Sequence, residues 1–316
     1  MKVLSGEAAK IAYRNFCEGE SSLPIFAEDW YLDHCCKEGE WQAILVLQDN
    51  KVIATYTYFL KRKWGLQYIT MPLFVKWMGL YILPEFRQHK WEARILRQLI
   101  PHIPKVNRSQ QNFFPSSFNW SPLYWNGFQQ TTYYTYQLDL TVSQEQLFSA
   151  IHYNTRRSIR QALFTLDTDI SPQDFYHINA MSFTRQGIDI PYDYKTFLTH
   201  YNTLLAHESI HLLGARNTQG EMCGVCCLIW DKMICYYHFS GDHPDFRKDN
   251  VGVWMIWQAV LFAHERLPAT TFDFEGSMLE GVAAVKRRLN AKPVPYYFIQ
   301  KDRHLMFRLR SSIRRL

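Results

Sequence analysis

The chain has 316 residues, of which 47% are apolar, 16% aromatic and 20% charged. This composition excludes a disordered, collagen-like or coiled-coil protein, and the length is enough for one large unit or two packed ones. Lysine and arginine outnumber the acids by 35 to 29, for a formal net charge of +6, and five arginines fall in the acid-free segment 303–316. Because the rest of the chain is only weakly basic, net charge alone does not predict binding to nucleic acid.

The cysteines and the hydropathy pattern favour a cytoplasmic protein. Seven cysteines are an odd number, and four of them lie in the short segment 223–235, as is typical of reduced thiols. The amino-terminal residues mix charged with apolar side chains, so they lack the apolar run of a signal peptide. No segment reaches the length of a membrane-spanning helix.

The first half of the chain predicts a helix followed by an antiparallel meander. A β-hairpin is indicated where two β-branched and aromatic runs flank the polar turn Asp49-Asn50-Lys51, and Pro101 ends a later helix. In chain order the predicted elements are a helix over 24–36, strands over 41–47, 52–60 and 66–70, a helix over about 86–100 and a strand over 131–140.

The second half predicts a similar meander between helices. Capping boxes are indicated at Ser143 with Gln146 and at Ser277 with Glu280. The predicted elements are a long helix over about 143–163, helices over 172–185 and 192–207, strands over 210–215, 222–230 and 233–240, a helix over 251–266, a strand over 271–274, a helix over 277–289 and a strand over 296–300. The repeated order of three strands indicates an internal duplication, and the whole pattern predicts an α+β fold.

Two motifs of the second half resemble the signatures of FemAB-type peptidyltransferases and related GNAT-like acyltransferases. The first motif is carried by Asn154, Arg156, Arg157, Ile159, Arg160 and Ala162, and the second by residues 272–277 with Gly281, Lys286 and Arg287. The resemblance implies two GNAT-like lobes, each with a mixed, mostly antiparallel sheet flanked by helices, over 1–142 and 143–300. It further implies an N-acyltransferase that moves an acyl or aminoacyl group from an activated donor to an amine acceptor.

Three arginines on the long helix are candidate ligands for an anion. Arg156 and Arg160 are four residues apart and share a helix face, with Arg157 beside them. Guanidinium groups this close repel one another unless an anion lies between them, and a phosphate-bearing substrate or an RNA backbone would serve. The alternatives are a solvated helix face and pairing of the arginines with surface acids.

The acidic pair Asp273 and Glu275 is the candidate for handling the acceptor amine. Strand alternation places the two carboxylates on one face, where either group would orient the amine or accept its proton. The alternative is that one of them only accepts backbone hydrogen bonds. We expect this pair to share a single hollow with the arginines of the long helix.

Two neighbouring segments predict the rest of the site. Tyr236, His238 and Ser240 alternate along one strand and are expected on one face, with His238 as a candidate base or else a structural side chain. Lys286 joins Tyr236 and Ser240 as a candidate substrate ligand. The donor is expected to bind at the helix start formed by Arg247, Asn250 and Gly252.

The remaining expectations concern cofactors and partners. Strand alternation separates Cys223 from Cys226, so no metal site is expected. No tightly bound cofactor is expected; acyl-CoA or aminoacyl-tRNA would be a co-substrate, and the acceptor would be a small-molecule or cell-wall-precursor amine. Residues 301–316 predict a basic amphipathic helix that docks on the protein or on an anionic membrane. DNA is not expected. The competing hypothesis is a non-catalytic GNAT-like protein that binds RNA or anionic lipid.

Overall fold

The computed structural model describes residues 1–116, 118–304 and 307. Its strands are β1 (Lys2–Leu4), β2 (Glu40–Gln48), β3 (Lys51–Lys63), β4 (Leu66–Thr70), β5 (Leu80–Ile82), β6 (Arg108–Asn112), β7 (Gln129–Asp139), β8 (Thr165–Asp167), β9 (Ile210–Arg216), β10 (Met222–Trp230), β11 (Ile234–Asp242), β12 (Thr271–Asp273) and β13 (Lys292–Asp302). Its α-helices are α1 (Glu7–Gly19), α2 (Asp29–Cys35), α3 (His89–Leu99), α4 (Ser121–Trp125), α5 (Gln144–Ala150), α6 (Tyr153–Gln161), α7 (Pro172–Arg185), α8 (Tyr194–Ala206), α9 (Val251–Arg266) and α10 (Glu280–Arg288).

The chain forms two compact units, one from residues 1–134 and 294 onward, the other from residues 135–293. The lobes predicted from the sequence divide at 142/143 and 300/301 instead. In the first unit the strand order is β1-β2-β3-β4-β6-β13, with β5 paired to β3. The β4–β6 pair is parallel, and the other pairs of this unit are antiparallel.

In the second unit the strand order is β7-β12-β11-β10-β9-β8. Here β11 and β12 run parallel, and the other neighbours are antiparallel. Both units therefore contain the mixed, mostly antiparallel sheet that the sequence predicts. Gly224 on β10 faces Val251 of α9, whereas Gly241 on β11 lies against the backbone of α7. Since Gly241 pairs with Val225, the next residue after Gly224, α9 and α7 cover opposite faces of the sheet.

The predicted hairpin and the second meander are confirmed. The β2–β3 turn has Asp49 and Asn50 at φ of 51° and 64°, which matches the twist of a two-residue hairpin. The segment 210–242 forms β9, β10 and β11 as three antiparallel strands. In each case the alternation of apolar residues and the polar turn between them were sufficient signals.

Several boundaries differ from the prediction. The capping box of Ser143 and Gln146 is present, but the long helix over 143–163 is wrong, because the extended backbone at Ile151 separates α5 from α6. The capping box at Ser277 is also wrong. The helix begins at Glu280 after Leu279, and the Ser277 hydroxyl accepts the Leu279 N–H instead.

The predicted tail helix over 301–316 is contradicted at its start. Residues 301 and 302 end strand β13, and most of the remaining tail lies outside the described residues. Within the described part of the chain, none of the helices has both the length and the apolarity needed to cross a bilayer.

Candidate functional site

A cavity of about 860 Å³ lies within the second unit at the amino end of α9. It is lined by residues from α7, β11, α9 and α10. Its polar lining includes Arg185, Tyr237, Ser240, Asp242, Arg247, Asn250 and Lys286, and its apolar lining includes Val253, Met255, Ile256, Phe274, Leu279, Val282 and Val285. We call it the α9 cavity.

The amino end of α9 gives this cavity hydrogen-bond donors. Asn250 has a φ of 66° and does not cap the helix with its side chain, and the first intrahelical bond runs from the N–H of Trp254 to the carbonyl of Asn250. The N–H groups of residues 251–253 therefore have no acceptor within the helix. Together with the helix dipole, such groups form an anion site.

Two arginine guanidinium groups lie at the same cavity, and both donate hydrogen bonds to one carboxylate. Asp242 accepts hydrogen bonds from Arg247 at 2.5 Å and from Arg185 at 3.3 Å. Both arginines are partly exposed. The described lining residues include Asp242 as their only carboxylate. The predicted donor ligands Arg247, Asn250 and Gly252 are thus brought together at the start of α9.

A β-bulge in β11 decides which side chains of that strand reach the cavity. Tyr237 pairs with Leu228 and Phe239 pairs with Cys227, so His238 is an extra residue in the strand. The insertion reverses the alternation after it. As a result Tyr237 and Ser240 line the cavity.

The prediction that Tyr236, His238 and Ser240 share one face is therefore wrong, because the bulge changes the phase of the strand between them. Tyr236 is buried, and its hydroxyl donates to Asp231 at 3.1 Å. His238 contacts Glu275. Of the three, only Ser240 is among the lining residues of the cavity.

Lys286 is a buried cation on the wall of the α9 cavity. Its side chain runs inward from α10, the residue is 6% exposed, and its Nζ atom donates to the carbonyl of Phe274 at 3.1 Å. Tyr237, in contrast, is uncharged, because burial raises the pKa of its phenol well above the ordinary value. The cavity therefore holds an ammonium group and a neutral phenol that can donate a proton.

The acidic pair lies deeper in the protein than the cavity lining. Asp273 is fully buried and accepts hydrogen bonds from Thr135 at 2.5 Å, Gln137 at 2.7 Å and the N–H of Glu275 at 2.6 Å. Burial raises its pKa to about 6. Glu275 has a φ of 55°, a strained value for a side chain of its size, and its carboxylate lies 2.6 Å from His238. Asp273, Glu275 and His238 are not among the residues that line the cavity.

The three arginines of the first motif line a different cavity. Arg156, Arg157 and Arg160 surround a space of about 700 Å³ together with Tyr153 and Phe148, which we call the α6 cavity. Arg156 donates to the carbonyl of Ser149, and the Arg160 guanidinium lies 5.0 Å from the Phe148 ring centre. The two cavities share no lining residue. Asp273 and Glu275 line neither of them, so the prediction that the acids share a hollow with these arginines is wrong for both cavities.

Some lining residues were not identified from the sequence. Tyr237 was missed because a bulge leaves no clear mark in an alternating pattern. Arg185 and Asp242 were missed because they come from a helix end and a strand end that only the fold brings together. The run of Asp242, Arg247 and Asn250 before an apolar helix was the one available signal.

Comparison with known proteins supports the fold seen here. Residues 151–287 match the family model described as an acetyltransferase (GNAT) domain. Curated protein sequences contain no match to the chain.

Solved structures resemble the chain over nearly its whole length. FemX has a TM-score of 0.69 at 13% identity, covering 94% of this chain and 97% of FemX. A tandem GNAT protein from the clavulanic acid biosynthesis pathway has a TM-score of 0.56 at 11% identity, covering 95% of this chain and 97% of that protein. The carboxy-terminal domain of a putative lysylphosphatidylglycerol synthetase from Agrobacterium fabrum has a TM-score of 0.53 at 10% identity, covering 93% of this chain and 92% of that domain. Residues 151–287 thus match a GNAT domain model, and the fold of the chain is similar to those of FemX and of the tandem GNAT protein.

Proposed function

We propose that the chain is an N-acyltransferase that moves an acyl or aminoacyl group from an activated donor to an amine. The observation that carries the proposal is the α9 cavity, where a helix amino end, the buried Lys286 ammonium and the Tyr237 phenol line one space. These three groups match the needs of a phosphate-bearing donor, a developing oxyanion and a leaving group. The GNAT family match covers all of them.

The phosphates of the donor would bind at the start of α9. The N–H groups of residues 251–253 point along the helix axis toward the cavity, and Arg247 supplies a positive charge beside them. Gly252 leaves open space where a side chain would stand, since an added Cβ meets no atom within 4 Å. This room lets a ligand approach the backbone closely.

The transfer itself would occur beside Lys286 and Tyr237. The amine nitrogen attacks the acyl carbonyl carbon, a C–N bond forms, and the thioester C–S or ester C–O bond of the donor breaks. The Lys286 ammonium stabilises the negative charge that develops on the carbonyl oxygen. Tyr237 donates its proton to the leaving sulfur or oxygen, and the proton released by the amine restores the phenol through solvent. Positioning of amine and ester supplies much of the remaining barrier reduction.

Asp273, Glu275 and His238 would act by holding this arrangement in place. Asp273 fixes the N–H of Glu275, and Glu275 holds the bulged His238 next to Tyr237. The carbonyl that receives the Lys286 ammonium belongs to Phe274, between the two acids. We therefore assign them positioning roles in place of direct contact with the amine.

The α6 cavity is the second part of the proposal. No carboxylate of the described residues lies within 4.0 Å of the guanidinium groups of Arg156, Arg157 and Arg160. Three guanidinium groups against the single carboxylate of Glu145 in the lining of this space favour a phosphate-bearing part of a substrate. The donor would be acyl-CoA or aminoacyl-tRNA, and the acceptor a small-molecule or cell-wall-precursor amine. The tandem GNAT relative from the clavulanic acid pathway is described as a structure without AcCoA, which favours testing acyl-CoA first.

The test uses the purified full chain with labelled acetyl-CoA and, separately, labelled aminoacyl-tRNA, each with a panel of amines. Transfer of label to an amine is expected, and Tyr237→Phe should slow it with little change in donor affinity. Isothermal titration with CoA should show weaker binding by Arg247→Gln. If neither donor supports transfer while RNA or anionic lipid still binds to the protein, the non-catalytic hypothesis replaces the enzyme.

A further inference from the structure

One end of the sheet in the first unit carries an exposed tryptophan among basic side chains. Trp64 stands in the turn between β3 and β4, where it is 86% exposed. Its φ of 50° and that of Gly65 at 73° form a tight hairpin turn. The Nζ atom of Lys63 lies 4.6 Å from the centre of the Trp64 ring. An indole this exposed is uncommon, because it leaves a large apolar surface in water.

The strand register brings further basic residues to the same end. Asn107, directly before β6, donates its N–H to the carbonyl of Gln67 just after the hairpin turn and accepts the Gln67 N–H with its side-chain oxygen. Its carbonyl accepts the N–H of Arg303, directly after β13. Lys301 pairs with Ser109, and burial together with the charges of Arg303 and Lys105 lowers its pKa. We call the set the basic edge. Its members are Arg62, Lys63, Trp64, Lys105, Lys301 and Arg303.

The charges of the basic edge are largely uncompensated. Arg108 and Lys61 nearby are neutralised by Asp302 at 2.7 Å and Glu38 at 2.7 Å. Among the described residues, by contrast, no carboxylate lies within 4.0 Å of the cationic groups of Arg62, Lys63, Lys105 or Arg303. Lys301 contacts the carbonyl of Asn126, which directly follows Trp125, and Trp125 is itself 67% exposed. The edge therefore combines indole rings with several free positive charges.

We propose that the basic edge is a docking surface for an anionic lipid bilayer. Indole rings favour the interface between headgroups and acyl chains, and lysine and arginine favour the negative potential above it. An RNA backbone would match the charges of the basic edge but would leave the exposed rings of Trp64 and Trp125 without an apolar complement.

The test is co-sedimentation of the full chain with vesicles of phosphatidylcholine that contain about 30 mol% phosphatidylglycerol. Binding is expected to these vesicles and to weaken as salt is raised. Arg62→Gln with Lys63→Gln should lower the partition constant by about 30-fold, and Trp64→Asn, which suits the turn, by about tenfold. Leu163→Ala, at another strongly exposed apolar residue, and Lys232→Gln, at an exposed lysine in the second unit, are the matched controls.

The result has clear alternatives. Equal binding to pure phosphatidylcholine vesicles, or equal loss in the two controls, would overturn the proposal. A loss of bulk tRNA binding in the basic-edge variants, with vesicle binding unchanged, would assign the edge to RNA. Melting temperatures of the variants should match that of the wild type, because all the substituted side chains are exposed.

Discussion

The Nδ1 atom of His238 lies 2.6 Å from the Oε1 atom of Glu275, so the bulged residue of β11 is tied to the turn that follows β12. Both side chains are largely buried. Glu275 keeps a φ of 55°, a conformation that costs about 1 kcal/mol or more for a residue with a side chain. The contact with His238 is part of what maintains it.

Replacing Glu275 tests this connection. Glu275→Ala should lower the free energy of unfolding by about 2 kcal/mol, because it removes a charged acceptor from a buried imidazole. Glu275→Gln retains an acceptor oxygen and should lose less. Urea unfolding of the two variants gives the comparison. Equal losses in Ala and Gln variants would show that the hydrogen bond contributes little.

The buried carboxyl of Asp273 predicts a pH dependence of stability. Its pKa is raised to about 6 by burial, against about 3.9 in an unfolded chain. Between these values the folded state holds a proton that the unfolded state has lost, so the contribution of this group to stability is present at low pH and is lost as the pH rises through about 6. Asp273→Asn removes that dependence.

The measurement is urea unfolding of wild type and Asp273→Asn from about pH 4 to pH 7. Across this range the free energy of unfolding of the variant, relative to that of the wild type, should rise by about 2–3 kcal/mol. The amide can still accept from Thr135 and Glu275, so the variant is expected to fold. A difference between the two proteins that stays constant with pH would contradict the prediction.

Two glycines near the α9 cavity should respond in opposite ways to alanine. A Cβ at Gly241 would lie 2.6 Å from the Cα of Asn179 and 2.7 Å from the carbonyl of Ile178, both backbone atoms of α7. Gly241→Ala must therefore push α7 away from β11 and should cost about 1–3 kcal/mol.

Gly252→Ala is the matched control for Gly241→Ala. It adds a methyl group in open space within a helix and should raise stability by about 0.5 kcal/mol, while weakening the binding of CoA. Thermal unfolding and titration of both variants with CoA separate the two effects. A stabilised Gly252→Ala with unchanged CoA affinity would remove this helix start from the donor site.

Lys286 should be more important for the rate than for the fold. Lys286→Met keeps the length of the side chain and removes the charge, so kcat should fall about 100-fold or more. The free energy of unfolding should fall by less than the activation free energy rises. Arg287→Met, at the next and exposed residue of α10, is the control. Single-turnover rates with saturating donor provide the test, and a normal rate in Lys286→Met would exclude the proposed oxyanion role.

The arginines of the α6 cavity should affect binding more than folding. The double variant Arg156→Ala with Arg160→Ala should weaken binding of a phosphate-bearing substrate by about tenfold or more, and should lower stability by about 1 kcal/mol through lost stacking on Phe148. Arg266→Ala, an exposed arginine on α9, is the control. A large fall in melting temperature with unchanged binding would make these arginines structural.

The fold was more predictable than the site. The hairpin of β2 and β3, the meander of β9 to β11 and the capping box of Ser143 depend on neighbours in sequence, and these predictions are confirmed. The depth of Asp273 depends on β7, whose Thr135 and Gln137 lie more than a hundred residues away along the chain. No local pattern reports such a contact. The absence of Asp273 and Glu275 from the α6 cavity likewise depends on packing, because the two motifs lie more than a hundred residues apart in the sequence.

The extra residue at position 238 sets the phase of β11 on its carboxyl side. Because Tyr237 and Ser240 pair with Leu228 and Cys226, deleting His238 would leave them two residues apart in a regular strand and still on one face. The same deletion would remove the imidazole that contacts Glu275. A natural variant with such a gap would therefore keep both side chains at its donor cavity and lose the contact between β11 and the turn after β12.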